Sequence, residues 1–494
     1  MAFEIEETSV RKIHAAFRAK ELTAEGLVKA YLARIDAYDK QGPTINAVIT
    51  INDHAVSEAK RLDAEYVSSG ELSGPLHGVP IVVKDQAETK GIMTTFGSIA
   101  MDGYMPAEDA TAIAKLKDAG AIILAKTTMP DFATSWFSYS SKSGTSKNPY
   151  DLARDPGGSS SGTGAAVAAN FSALGIGEDT GGSIRLPASF NNLVGLKVTP
   201  GLISRAGMSP LVVFQDSAGP MCREVEDVAQ LLNVIAGFDA KDPFTATASI
   251  AGPQDYLAGL DAQALAGKTI GVIREVFGAD TDEESAAVNQ LMEQALSDIR
   301  AAGAETVDVV IPDLEHYLDY TSLYVTHSRH DINKFLSERD VPVKTVQEIH
   351  ANKQYHPLLD LFEAVIEGPD DPYAEAEYFE RYTARETFQR VIVNEMAKVG
   401  ASALVYPTTQ IPSPTRTDLD TGKWTTFTYP TNTLIAAQSW LPAISVPAGF
   451  TNSGVPVGLE MMGLPYAEAS LLGLAYAYEQ KTKHRNSPAS CPAV

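Results

Sequence analysis

The chain has 494 residues, 44% of them hydrophobic and 20% charged, which is ample material for a large buried core. Its formal net charge of −23 leaves no basic face for nucleic acid or for an anionic membrane surface. Two cysteines, Cys222 and Cys491, make neither a disulfide framework nor a zinc site and suit a reducing compartment. No window reaches the roughly 18 apolar residues of a membrane span and the N-terminus carries no signal-like apolar run, so the expected location is cytoplasmic.

In chain order, Ile13, Phe17, Leu27, Tyr31, Leu32 and Ile35 recur at helical spacing and predict helix over the first forty residues. GVPIVVKD (78–85) and AIILAK (121–126) read as strands. A helix over Glu283 to Ala302 is predicted between the strands TIGVIR (269–274) and TVDVVIP (306–312). The stretch from about 315 to 400 holds long amphipathic segments, including a helix started by Asp371 and Pro372 and ended by Gly400. ALVYPT (403–408), AISVPAG (443–449) and PVGLEMMG (456–463) complete the strand signals. Strands alternating with helices at these lengths predict an α/β fold on a largely parallel or mixed sheet. No repeat or linker divides the chain, so one domain over 1–494 is expected, with 315–400 as a helical excursion roofing a pocket.

The richest stretch is PGGSSSGTGAAVAANF (156–171), with GEDTGGSIRLP (177–187) shortly after it. A dinucleotide loop fails because Val167 stands where the third glycine belongs and no strand leads in. Gly158-Ser159-Ser160-Ser161-Gly162 does fit a nucleophile elbow centred on Ser160, but NPYDLARDPGG before it is rich in turn formers, where that motif requires a strand. Histidines downstream keep a serine–histidine triad in the inventory. His327 and His330 share a helical spacing, yet no third metal ligand follows at a recognised interval, and they read as solvated or pocket-lining side chains.

The blocks GPLHGVPIVVKDQAETKG and PGGSSSGTGAAVAANFSALGIGEDTGGSIRLPASFNNLVGLKVTPG, with LPAISVPAGF and PVGLEMMG, resemble the amidase signature family over most of the chain. The resemblance implies that family's fold, a large mixed β-sheet covered by helices on both faces, with a signature core at about 75–240. It implies a catalytic set of Lys84, Ser159 and Ser183, the two serines lying 24 residues apart. Lysine is then the base, which explains a hydrolase motif without a nearby histidine. It further implies a cis peptide at Gly158–Ser159 and an oxyanion hole built from the backbone N–H groups of Thr180, Gly181, Gly182 and Ser183. Asp179 and Arg185 are expected to pin the nucleophile loop by charge-assisted hydrogen bonds, and Ser160 and Ser161 to serve as loop hydrogen-bonders.

The chemistry fits these residue types. A lysine amine accepts a proton only when neutral, and burial lowers its pKa from about 10.4; Val82 and Val83 before Lys84 suit such burial. Convergent backbone N–H groups stabilise a developing oxyanion. Phe132, Trp136, Phe137 and Trp424, with Tyr139, Phe427 and Tyr429 nearby in sequence, are candidate pocket aromatics and point to a hydrophobic or aryl amide. Carbamates and esters remain open because they use the same acyl-enzyme. A glutaminase subunit of a tRNA-dependent amidotransferase is the other family reading; Leu186, where those subunits carry a polar residue, and MSPLVVFQDSAGP speak against it. No metal or organic cofactor is implied, and the expected partner is a small-molecule amide, bound by a monomer or homodimer.

Overall fold

The computed structural model describes residues 3–252 and 254–494. Eleven strands form one mixed sheet: β1 (Val48–Ile51), β2 (Pro80–Lys84), β3 (Ile122–Thr127), β4 (Leu174–Asp179), β5 (Val194–Lys197), β6 (Ser217–Cys222), β7 (Thr269–Val272), β8 (Glu305–Asp308), β9 (Ala401–Pro407), β10 (Ala443–Phe450) and β11 (Pro456–Met462). Their order across the sheet is β1-β3-β2-β4-β6-β5-β10-β11-β9-β7-β8. β2 runs parallel to both β3 and β4, and β7 parallel to β8 and β9, while the pairs joining these two groups are antiparallel.

Alternate residues of a strand point to opposite faces, and β9 shows both faces covered. Ala403 and Val405 enter a cluster with the helix Glu283–Ala301, whereas Leu404 and Tyr406 enter another with the helix Tyr378–Val399. Strands buried on both sides read as continuous apolar runs. That is why PIVVK in β2 and IILAKT in β3 stood out in the sequence, and every residue of both is buried.

The N-terminal helical stretch is two helices, Val10–Ala19 and Ala24–Tyr38, the second capped by the Thr23 hydroxyl accepting from Gly26 N. Asp282 caps the helix Glu283–Ala301 in the same way through Ser285 N, with Glu283 and Glu284 in the favourable first turn. Between 314 and 399 the chain forms five helices, Leu314–Tyr320, Tyr324–Ser337, Val346–Ala351, Asp360–Ile366 and Tyr378–Val399. Here one boundary differs from expectation. Asp371 and Pro372 start only a 3-10 turn, Pro372–Ala374, because the backbone turns extended at Glu375, with φ −67° and ψ 138°. The long helix begins at Tyr378, and Gly400 at φ 68° ends it. No helix among the described residues is long and apolar enough to cross a membrane.

The site follows from the parallel pairing of β2 with β4, Ile81 beside Leu174 and Val83 beside Ile176. Parallel neighbours end on the same edge of the sheet, so Lys84 at the end of β2 and Glu178-Asp179 at the end of β4 emerge together.

Candidate active site

Two loops meet at that edge. The first carries Ser159 and runs into the helix Ser161–Ala168; the second, 180–184, joins β4 to the helix Arg185–Phe190. Ser160 N donates to Ser183 O at 3.1 Å and ties them together. The Gly158–Ser159 peptide is cis. Lys84 Nζ lies 2.8 Å from Ser159 Oγ, and also 3.1 Å from both the carbonyl and the Oε2 of Glu178. Lys84 and Ser159 are fully buried, and Ser183 is 3% exposed. Burial pushes the Lys84 ammonium below the ordinary lysine range, against the opposing pull of the Glu178 carboxylate.

Asp179 organises the second loop. Its Oδ1 accepts from Gly182 N at 2.7 Å, and its Oδ2 from Ile184 N at 3.1 Å. Arg185 meets it through two nitrogens, Nε at 3.1 Å and a terminal nitrogen at 3.0 Å, and bonds on to Glu460 and to Thr433 O. All three charged side chains are buried. Burial alone would raise the Asp179 carboxyl, but the Arg185 guanidinium holds it below the usual carboxylate range. The conformation demands glycine: Gly182 has φ 137°, and a Cβ there would meet Thr433 Oγ1 at 2.1 Å.

The four backbone N–H groups expected at the oxyanion position divide. Gly182 N–H is occupied by Asp179. Those of Thr180, Gly181 and Ser183 donate to no protein acceptor among the described residues, and these three residues line a cavity of about 150 Å³.

That cavity also takes Trp136, Leu211, Tyr324, Leu361, Phe427 and Leu434 into its lining. Of the candidate pocket aromatics, Trp136 is there. Phe132 and Phe137 are 1% exposed and lie in the aromatic core beside it. Trp424 packs edge-on against Tyr429 at the margin of the same core, outside the lining. The 314–399 region reaches the cavity through the helix residues Tyr324, Val325 and Leu361 and through Ser322 in the link before them. Tyr324 Oη donates to Thr180 O at 3.1 Å and accepts from Gln215 Nε2 at 2.7 Å, so the far helix also braces the 180–184 loop.

Ser160 is no nucleophile elbow. No strand lies between β3 and β4 among the described residues. Its hydroxyl is fully buried against β4 and donates to Glu178 O at 3.2 Å. A Cβ on Gly177 would meet that Oγ at 2.8 Å, so this strand carries glycine to let the loop lie on it. His327 and His330 both bond the Asp331 carboxylate, which also accepts from Val213 N. Sequence spacing did not reveal Asp331 as their companion, nor Glu178, Asp216 and Tyr324 as neighbours of Lys84 and the 180–184 loop. Glu178 gave one signal, an acid directly after the uncharged run LGIG and before Asp179.

A family model described as Amidase matches residues 26–472. The chain belongs to the amidase family. It is an enzyme of C–N bond hydrolysis, built on that family's mixed sheet. This amidase is 34% identical to a glutamyl-tRNA(Gln) amidotransferase subunit of Symbiobacterium thermophilum, over 97% of this chain and 98% of the relative. It superposes on the native peptide amidase of Stenotrophomonas maltophilia with a TM-score of 0.89 at 34% identity, covering 99% of both chains. Against the corresponding glutamyl-tRNA(Gln) amidotransferase subunit of Thermotoga maritima the TM-score is 0.76 at 26% identity, covering 98% of this chain and 97% of the other. The amidotransferase likeness weakens the sequence argument from Leu186. That side chain is fully buried in the aromatic core and is no part of the cavity lining, so it does not discriminate between substrates.

Proposed function

We propose that this amidase hydrolyses a neutral carboxamide with a hydrophobic or aryl acyl group, through an acyl-enzyme on Ser183. In this reading the Ser183 hydroxyl gives its proton to Ser159 as its oxygen attacks the carbonyl carbon, and Ser159 passes its own proton to neutral Lys84. The oxyanion is met by the N–H groups of Thr180, Gly181 and Ser183, each worth about 3–4 kcal/mol in the transition state, while Gly182 and the Asp179–Arg185 pair hold the loop in shape. The proton then returns along the same path to the departing nitrogen, the C–N bond breaks, and water releases the acid from Ser183 by the reverse sequence.

The observation that carries the substrate class is the lining of the cavity at Ser183. It holds apolar and hydroxyl side chains and no Asp, Glu, Lys or Arg. An amino-acid substrate brings an ammonium and a carboxylate, which are costly to bury without charged partners. The likeness to peptide amidase over the whole chain supports an amide hydrolase. The second reading, a glutaminase subunit, rests on the amidotransferase relatives.

The test is turnover of an aryl primary amide, the matching anilide, an aryl carbamate and free glutamine, each with wild type and Ser183→Ala. Turnover of the aromatic compounds, lost in the variant, is expected. Glutamine outpacing all three would overturn the apolar-substrate reading in favour of the glutaminase.

A further inference from the structure

Lys84 has a buried companion that the proton path above does not use. Glu178 is 1% exposed, and its Oε2 lies 3.1 Å from Lys84 Nζ. Its other oxygen, Oε1, is 3.0 Å from Thr180 Oγ1, which is in turn 2.6 Å from Asp216 Oδ1. Asp216 is buried and also accepts from Leu211 N at 3.0 Å and Val212 N at 3.1 Å. A threonine hydroxyl carries one hydrogen. It donates to one of these carboxyls, so the contact with the other is a hydrogen bond only if that carboxyl supplies the hydrogen. Two buried carboxyls this close do not both ionise readily.

We propose that Glu178 and Asp216 hold one proton between them through the Thr180 hydroxyl, and that Glu178 thereby sets how readily Lys84 accepts a proton from Ser159. The inference rests on Lys84 being the base of the proposed reaction.

The proton count balances. With Lys84 neutral, Glu178 carries the hydrogen and donates to Thr180, Thr180 donates to Asp216, and the negative charge sits on Asp216. When Lys84 becomes an ammonium, both hydrogens shift: Asp216 now donates to Thr180, Thr180 donates to Glu178, and the charge moves beside the lysine. No proton enters or leaves. A carboxylate fixed at 3.1 Å would hold Lys84 protonated; one that gives up its charge to Asp216 does not. Burial, and next the charge of Glu178, push the Asp216 carboxyl well above its ordinary range, in keeping with a proton held here.

The other charges facing this set have their own partners, except that the Lys197 ammonium meets only the carbonyls of Val198 and Leu441 among the described residues. Asp179 is paired with Arg185, and Lys197 of β5 also faces it. Asp85, next to Lys84 in β2, faces Lys126 at 3.4 Å. From the helix Tyr324–Ser337, Asp331 is held by His327 and His330, and the Tyr324 hydroxyl meets Thr180 O. From the helix Tyr378–Val399, Arg385 reaches Gln215 Oε1 at 2.5 Å.

The experiment is the pH dependence of Ser183 labelling by an alkyl fluorophosphonate, which requires no knowledge of the substrate. Wild type, Glu178→Gln, Asp216→Asn and Lys84→Ala are compared, with the labelled peptide identified by mass. Labelling should rise with pH as Lys84 loses its proton. Glu178→Gln should move that rise about one to three pH units toward acid, since an adjacent opposite charge is removed. Asp216→Asn should move it the other way, because the charge can no longer leave Glu178. An unmoved profile in Glu178→Gln, or a shift toward acid in both variants, overturns the shared proton while leaving Lys84 as base. Labelling of Lys84→Ala at the wild-type rate overturns the base assignment and this inference with it. Should Glu178→Gln fail to fold, infrared difference spectra of wild type against Asp216→Asn at neutral pH decide: loss of one protonated-carboxyl band in the variant is expected, and no loss overturns the proposal.

Discussion

Lys84, Ser159 and Glu178 are each 1% exposed or less, whereas Phe427, in the lining of the cavity at Ser183, is 60% exposed and Val325 36%. The first group sits where β2 and β4 end side by side, and its polar atoms are tied to Ser159, Thr180, Asp216 and the backbone of β4. The second group comes from separate helices and loops, at 136, 324–325, 361 and 427, and, apart from the Tyr324 hydroxyl, makes its contact through apolar surface. Packed polar networks fail when one member is removed, because the rest are left buried and unpaired. Apolar surface open to solvent loses little when one side chain shrinks. On the proposed reading, chemistry and substrate preference are carried by regions with very different tolerance to change.

The sharpest way to break this contrast is at the reacting atoms. Ser183→Ala is expected to lower kcat by about 10⁴-fold or more, and Lys84→Ala by about 10²–10⁴-fold, measured as steady-state hydrolysis of an aryl amide. A Ser183→Ala enzyme with wild-type turnover would place the nucleophile elsewhere.

Next comes the buried pair behind the loop. Asp179→Asn leaves the buried Arg185 guanidinium with Glu460 as its one carboxylate partner and is expected to cost about 3–5 kcal/mol of stability, read from urea denaturation. The sign with pH follows from the direction of the Asp179 shift. Its folded carboxyl is held below the ordinary value, so its contribution is complete above the usual carboxylate range and is lost as pH falls through the folded value. The gap between wild type and variant should close on acidification, and a gap constant across that window would contradict the pairing.

On the other wall the effects should be smaller and should appear in substrate preference. Trp136→Ala is expected to reduce kcat/KM for an aryl amide by about 10–100-fold, the equivalent of a lost large apolar contact, with little change for acetamide. Tyr324→Phe removes two hydrogen bonds, the donation to Thr180 O and the acceptance from Gln215 Nε2, each worth about 1 kcal/mol, and should lower kcat several-fold with KM nearly unchanged. Phe427→Ala, at an already exposed position, should change KM by only about two- to threefold. A loss as large as that of Trp136→Ala would show that Phe427 closes over the bound substrate.

How much was legible in the sequence depended on how each element is stabilised. β2 and β3 were readable because strands buried on both faces are continuous apolar runs. The helix Glu283–Ala301 was readable because its cap and first turn carry the right side chains. β4 escaped notice because LGIGED uses glycine where the serine loop lies against it, which removes the β-branched signal. β5 (VGLK) and β6 (SAGPMC) escaped in the same way, short and rich in small residues or proline.

By itself the sequence determined the local devices: the apolar strands, the glycines of the DTGGS loop, the capped helices and, through the quoted blocks, the resemblance to one family. Only the tertiary structure decided which distant groups meet. The parallel register of β2 with β4 sets Glu178 against Lys84, 94 positions away in the chain. Packing of the helix Tyr324–Ser337 brings Tyr324 to a loop 144 positions distant. Burial sorts the aromatics, leaving Trp136 and Phe427 on the cavity and placing Phe132 and Phe137 inside. Sequence patterns report contacts one helical turn or one strand pleat apart; proximity across a sheet depends on the register and layering of the whole fold, and no local periodicity records it.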